Sequence, residues 1–310
     1  MKILLVGVCD NEESTNFHQM KALKNLGHEV EPFNYRTMAQ KAHQEGDTEL
    51  AAGWYRETIN EFGPQLVIYC KFNDWPSEAI QWTRDKGILT WLWYVDPMQQ
   101  LSTGIISHAK TADYASCTGM AQTEYLKALD INCHHIMEGV DPKIYYPAEA
   151  VEPIADVAFI GAATQERYEF LSAIEERGVK TAAGGPGWST TETVDVGRFR
   201  ELCANCTMVL GRDREIHTHG YFSDRAFRVM AAGGVYVTVQ TLGTEKFLIN
   251  GVNSFTAATE EELVELIVDI VENPDQYNLA EVRRRGRQFV LDNHTWEHSM
   301  QQLLAEVEVG

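Results

Sequence analysis

The chain has 310 residues, a formal charge of -19 and 44% hydrophobic residues, enough for two domains with buried cores. Such acidity argues against a broad nucleic-acid surface, which needs cations to neutralise backbone phosphates. No apolar run approaches the roughly 18 residues of a membrane-spanning helix.

Residues 2–8 are Lys2 followed by an apolar run, stopped by Cys9-Asp10-Asn11. This pattern reads as a buried first strand and not as a signal peptide. A helix is expected over 17–26, ended by Gly27-His28, then a strand over 30–33 and a long polar helix over 38–62 stopped by Gly63-Pro64. Strands over 66–70, 88–94 and 114–117 alternate with helices over 77–86 and 123–129. That alternation predicts a parallel sheet covered on both faces.

Residues 139–153 carry three prolines and no helical period, so they read as a domain junction. The same grammar then restarts. Strands are expected at 157–160, 179–182, 207–210, 235–239 and around Phe255. Helices are expected at 165–177, 194–205, 223–232, 245–250, 260–272, 276–291 and 296–307. The fold class is α/β, with two Rossmann-like domains over 1–145 and 153–293 and a terminal helical segment over 294–310.

The six cysteines are scattered and do not form a disulfide framework; Cys203 and Cys206 read as core thiols, and a reducing cytoplasm suits them. Ligands of such sheets gather beyond the carboxyl ends of the strands. In the second half, that rule selects Gly161 after one strand and Gly243-Thr244-Glu245 after another. Glycine there permits close approach by a phosphate, and Thr244 can cap the helix that follows. Glu245 serves either as an acceptor for ribose or sugar hydroxyls or as favourable charge at a helix start.

Residues 212–228 hold Arg212, Arg214, Arg225 and Arg228 with His217 and His219. Such guanidiniums need either an anionic ligand, a diphosphate suiting their fixed forks, or carboxylates of the protein itself. Ser223 or Asp224 caps the helix that carries Arg225. His217 and His219 lack a third metal ligand at sensible spacing, so phosphate or sugar hydrogen bonding is preferred. In the first half, Asp10, His18 and Asp96 sit near strand ends and read either as general bases or as cap and turn residues. No GxSxG, HExxH, Walker lysine or GxGxxG fingerprint is present.

The run from Ser223 to Gly234, SDRAFRVMAAGG, resembles the group 1 glycosyltransferases of GT-B architecture, especially their CgeB-like branch. So do HTWEH from His294 to His298, EGVDP from Glu138 to Pro142, and WYVD from Trp93 to Asp96. The resemblance runs through nearly the whole chain. It implies two facing Rossmann-like domains and a final helix that crosses back to the first. It also implies a nucleotide-diphosphate-sugar donor, a UDP-sugar foremost, held by the second domain, and no obligatory metal. Retention of donor stereochemistry is implied as well. The hydroxyl acceptor is left open among glycan, small molecule, protein and modified viral DNA base. On this likeness Arg212, Arg214 and Arg225 neutralise the diphosphate, while Glu245 holds the nucleoside side. Related enzymes commonly carry acids where Gly220 and Arg228 stand, so Glu245 or Asp224 would have to fill that role. Two alternatives accompany the transferase reading: a non-catalytic nucleotide-sugar-binding scaffold and a nucleotide-sugar epimerase.

Overall fold

The computed structural model describes residues 1–12, 14–188, 194–213 and 218–309. Chain contacts divide them into two compact units, Met1–Glu138 with the segment from Trp296 onward, and Gly139–Thr295. Residues 139–145, grouped with the first half from sequence, pack in the second unit.

The first unit is built on a six-stranded parallel sheet, β1 (Lys2–Val6), β2 (Glu29–Phe33), β3 (Leu66–Cys70), β4 (Leu89–Tyr94), β5 (Tyr114–Cys117) and β6 (Cys133–His135). Its spatial order is β2-β1-β3-β4-β5-β6. The central strands are apolar at nearly every position because both faces are covered. One face takes α2 (Tyr35–Gln44), α3 (Glu49–Phe62), α4 (Glu78–Asp85) and α5 (Thr103–Thr111), around Tyr55, Tyr69, Phe72 and Leu92. The other takes α1 (Thr15–Asn25) and the last helix. α6 (Met120–Ala128) joins β5 to β6.

The long helix expected over 38–62 is two helices. Gly46 at φ +77 ends α2, and Asp47 accepts from the Glu49 amide before α3 starts. α5 and β6 were not expected from the sequence. The α5 segment has its start signal, Ser102, whose hydroxyl accepts from the Ile105 amide.

The second unit repeats the plan with β7 (Ala155–Ile160), β8 (Thr181–Gly184), β9 (Cys206–Gly211), β10 (Tyr236–Val239) and β11 (Phe255–Ala257). Their order is β11-β10-β9-β7-β8, all parallel. α7 (Gln165–Glu175), α8 (Val196–Asn205), α9 (Arg225–Ala231), α10 (Glu260–Glu272) and α11 (Leu279–Asn293) flank the sheet. The helix expected at 245–250 is a run of turns.

The last helix, α12 (Trp296–Val309), packs in the first unit. Trp296, Met300, Leu303, Leu304 and Val307 recur at helical spacing and join Ile3, Leu5, Trp91 and Trp93 in one cluster. Ser299 Oγ donates to the Met137 carbonyl at 2.9 Å, and Gln302 Nε2 to that of His135 at 3.1 Å.

Candidate functional site

At the carboxyl edge of the second sheet, the turn after β7 and the loop after β8 are laced together. The Gly161 amide donates to the Gly184 carbonyl, the Ala163 amide to that of Pro186, and Trp188 Nε1 to that of Gly161. A Cβ on Gly185 would lie 2.5 Å from the Gly161 carbonyl oxygen, so only glycine allows this contact. The lacing corrects one expectation. Two amides of the Gly161 turn serve the neighbouring loop and are not directed at a phosphate. Thr164 does cap α7, accepting from the Arg167 amide.

The same turn meets an arginine. A Cβ on Gly161 would come within 3.1 Å of Arg225 Nη2, so the missing side chain lets the guanidinium approach the turn closely. Arg225 Nη1 lies 3.1 Å from Asp213 Oδ1, while Asp213 Oδ2 accepts from the Ser223 amide at 3.0 Å. The arginine and aspartate side chains are only 12% and 10% exposed. Arg225 and Arg167 both lie over the Phe159 ring, at 5.2 and 4.9 Å. Arg167 donates to the carbonyls of Arg212 and Ala162, tying α7 to the end of β9.

The other described arginines of the cluster are paired too. Arg212 is ion-paired with Glu260 and donates from Nη1 to the Asp213 carbonyl. Arg228 is ion-paired with Asp224 one turn before it and lies 5.3 Å from the centre of the Tyr145 ring. Carboxylates of the protein thus hold Arg212, Arg225 and Arg228 together. Arg214 and His217 lie outside the described residues. Asp224 makes no side-chain cap at α9; Ser223 Oγ accepts from the Arg225 amide instead.

The turn after β10 has a different character. Thr244 is buried and its hydroxyl donates to the Thr241 carbonyl while accepting from Gln240 Nε2, so it does not cap a helix. The exposed Glu245 carboxylate accepts from the amides of Glu245 and Gly243, which hold it below its ordinary range; His219 and Lys246 lower it further. The Gly220 amide donates to the Leu242 carbonyl at 2.7 Å, joining the 218–220 turn to this one. Gly161, Asp213 and Arg225 are thus linked contact by contact beyond β7 and β9, while the 218–220 turn meets the Gly243–Glu245 turn beyond β10.

The first-unit candidates separate. Asp96 Oδ1 is 2.6 Å from Lys71 Nζ, an ion pair across the ends of β3 and β4. Asp10 is exposed and accepts from Thr37 Oγ1 at 3.3 Å. His18 is only 2% exposed and packs edge-on against Phe17, so it is not offered to an incoming hydroxyl. Its place in α1 turns it inward, which a helical count from an uncertain start could not reveal. Sequence reasoning also missed Lys71, Arg167 and Asp213. Asp213 stood beside Arg212 in plain view, but its pairing with Arg225 needs the chain to fold back.

Residues 166–305 match the family described as glycosyl transferase-like. Compared by sequence with curated proteins, the chain matches none. Among solved structures, it is similar to Anabaena Alr3699/HepE in complex with UDP and glucose, with TM-score 0.70 at 12% identity over 100% of both chains. It is also similar to sucrose-phosphate synthase from Thermosynechococcus elongatus, with TM-score 0.66 at 12% identity, over 100% of this chain and 99% of that one. A glycosyltransferase from Rickettsia africae gives 0.68 at 12% identity over 98% and 97%. At these identities the likeness shows the fold, which is GT-B: two Rossmann-like α/β domains.

Proposed function

We propose that this chain, whose residues 166–305 match the glycosyl transferase-like family, is a glycosyltransferase and that its second unit holds a nucleotide-diphosphate-sugar donor at the carboxyl edge of its sheet. The observation that carries this reading is Arg225 standing against the open side of Gly161, backed by a buried Asp213. A pre-aimed guanidinium at that edge suits a diphosphate. Asp213 keeps the arginine oriented before the ligand arrives.

In the proposed reaction the bond from the anomeric carbon to the diphosphate oxygen breaks, and a bond from that carbon to the acceptor oxygen forms. The diphosphate leaves with the bonding pair, and the acceptor hydroxyl's proton passes to the departing diphosphate oxygen. Arg225 neutralises charge developing on the leaving group, the step at which positioned positive charge lowers the barrier most. Arg228, ion-paired with Asp224, and His219 beside Glu245 complete the polar edge. The Gly243–Glu245 turn takes the ribose or phosphate side, its amides exchanging the Glu245 carboxylate for a donor oxygen. We assign the acceptor-side carboxylates to Asp96 and Asp10, with no metal required and donor stereochemistry retained. The likeness to Anabaena HepE, solved with UDP and with UDP-glucose, makes a UDP-sugar the first donor to test. Six free, buried thiols suit a reducing cytoplasm.

One observation favours a second reading. Gly220 adopts φ +65, a left-handed backbone that glycine suits, and Arg228 is engaged by Asp224. The acids common in related enzymes are absent at both positions, as a nucleotide-sugar-binding scaffold without turnover would allow.

Calorimetric titration with UDP-, GDP-, ADP- and dTDP-glucose tests both. Saturable binding of one donor is expected, weakened at least tenfold, about 1.4 kcal/mol, in Arg225→Ala. Removing Arg225 leaves Asp213 buried without its cation, so Glu245→Ala at an exposed position is measured alongside. Binding followed by transfer to a hydroxyl acceptor supports the enzyme, and binding without turnover across an acceptor panel supports the scaffold. No binding at millimolar donor sinks both.

A further inference from the structure

The first unit contains a cavity that the donor reading leaves unused. It measures about 550 Å³ and lies where the N-terminal ends of α3 and α4 meet the loop after β3. This is the carboxyl edge of the first sheet, and the volume falls within the range typical of small-molecule sites. Alanines of α2, α3 and α4, including Ala52, leave the space open.

The chemistry of the wall narrows the ligand. Trp75 and Trp82 supply aromatic surface, while Glu49, Asp74, Glu78 and Arg56 supply polar groups. Trp75 is held rigidly, with Phe72, Phe33 and Tyr55 rings packed at 5.2, 6.0 and 6.0 Å. Arg56 lies 5.8 Å from the centre of the Trp82 ring and so is tethered beside the cavity. The loop that brings Asp74 and Trp75 there has Lys71, Phe72 and Asp74 at φ +63, +59 and +66. Left-handed backbone at non-glycine residues is uncommon, and buried Phe72 and Trp75 anchor it here.

Anions fit poorly. Glu49 and Glu78 already occupy the first turns of α3 and α4, so both helix dipoles are answered by carboxylates of the protein. Hydroxyl groups fit well, because each both donates and accepts: three carboxylates accept and one guanidinium donates. The Trp82 indole already carries two cations, Lys86 at 4.6 Å and Arg56 at 5.8 Å from its ring centre, so it shapes the cavity wall and is not a free stacking face. We propose that this cavity binds an uncharged saccharide, with Asp74 accepting from its hydroxyls and Trp75 and Trp82 walling the ring. The inference needs no nucleotide and does not depend on the donor reading.

The test is saturation-transfer NMR with tryptophan fluorescence on the full chain. The probes are methyl glycosides of glucose, galactose, mannose and N-acetylglucosamine, plus maltose and cellobiose, at up to 50 mM, with spermidine as a cationic control. At least one saccharide is expected to bind saturably, with affinity unchanged by saturating UDP. Two variants locate the site: Ala52→Trp fills the cavity, and Asp74→Asn removes the carboxylate with a residue that tolerates the left-handed backbone. Each should weaken the saccharide at least tenfold while donor binding is retained. Silence across the panel, binding by spermidine alone, or affinity untouched by both variants would overturn the proposal.

Discussion

Arg225 and Asp213 illustrate how a charged pair can mislead when read from sequence. Arginines crowded into 17 residues invite an anionic ligand, yet each described member already has a carboxylate beside it. A buried pair of this kind costs desolvation on both sides, so its presence is weak evidence for stability and better evidence for orientation. Glu245 is the sharper probe because it is exposed and its partners are backbone amides. Its folded carboxyl titrates below the ordinary value of 4.5. The turn's stabilisation is therefore complete above that value and fades as pH falls through the lower folded one. The amide signals of Gly243 and Glu245, followed by NMR, should shift with a midpoint below 4.5. Glu245→Gln should abolish that step. A midpoint at or above 4.5 would mean that the carboxylate does not fold back on the turn.

At the scale of elements, α12 is the clearest case of sequence distance overcome by packing. Its apolar stripe closes one face of the first sheet, with Trp296 6.0 Å from Trp93. Trp296 is 2% exposed, so Trp296→Ala removes a large buried ring from a cluster that cannot readily collapse. Urea unfolding followed by circular dichroism should show a loss of about 3–5 kcal/mol in the first unit. A loss below about 1 kcal/mol would show that α12 contributes little to that core. Helix boundaries, by contrast, turned on single residues. Gly46 splits what its polar surroundings made look like one helix. The 245–250 segment stays a chain of turns because Thr244 bonds back to Thr241 instead of capping.

Over the whole molecule, the cysteines report on both cores at once. All six are free and buried, spread over the two units. Burial, with Asp10 nearby, pushes the Cys9 thiol up to about 12. Burial also raises Cys70, Cys203 and Cys206, and a hydrogen bond to Cys133 leads the rise of Cys117. Thiolate is the reactive form, so Ellman's reagent at pH 8 should leave the native protein unlabelled over minutes and label six thiols after unfolding in urea. Rapid labelling of any one in the native state would mean that its surroundings open.

The sequence by itself determined the alternation of buried strands and amphipathic helices, the restart of that pattern after 139–153, and the glycine turns at strand ends. Each of these is written in local periodicity and in residues whose backbone freedom is read one at a time. It also placed α12 as a helix, though not the face it would cover. Tertiary structure alone decided that Asp213 backs Arg225, that Lys71 holds Asp96, that His18 turns inward, and that the Gly161 amides serve a neighbouring loop. Those outcomes depend on groups brought together across many residues of chain, where charge pairing and burial compete. Local pattern carries no information about which partner will be near.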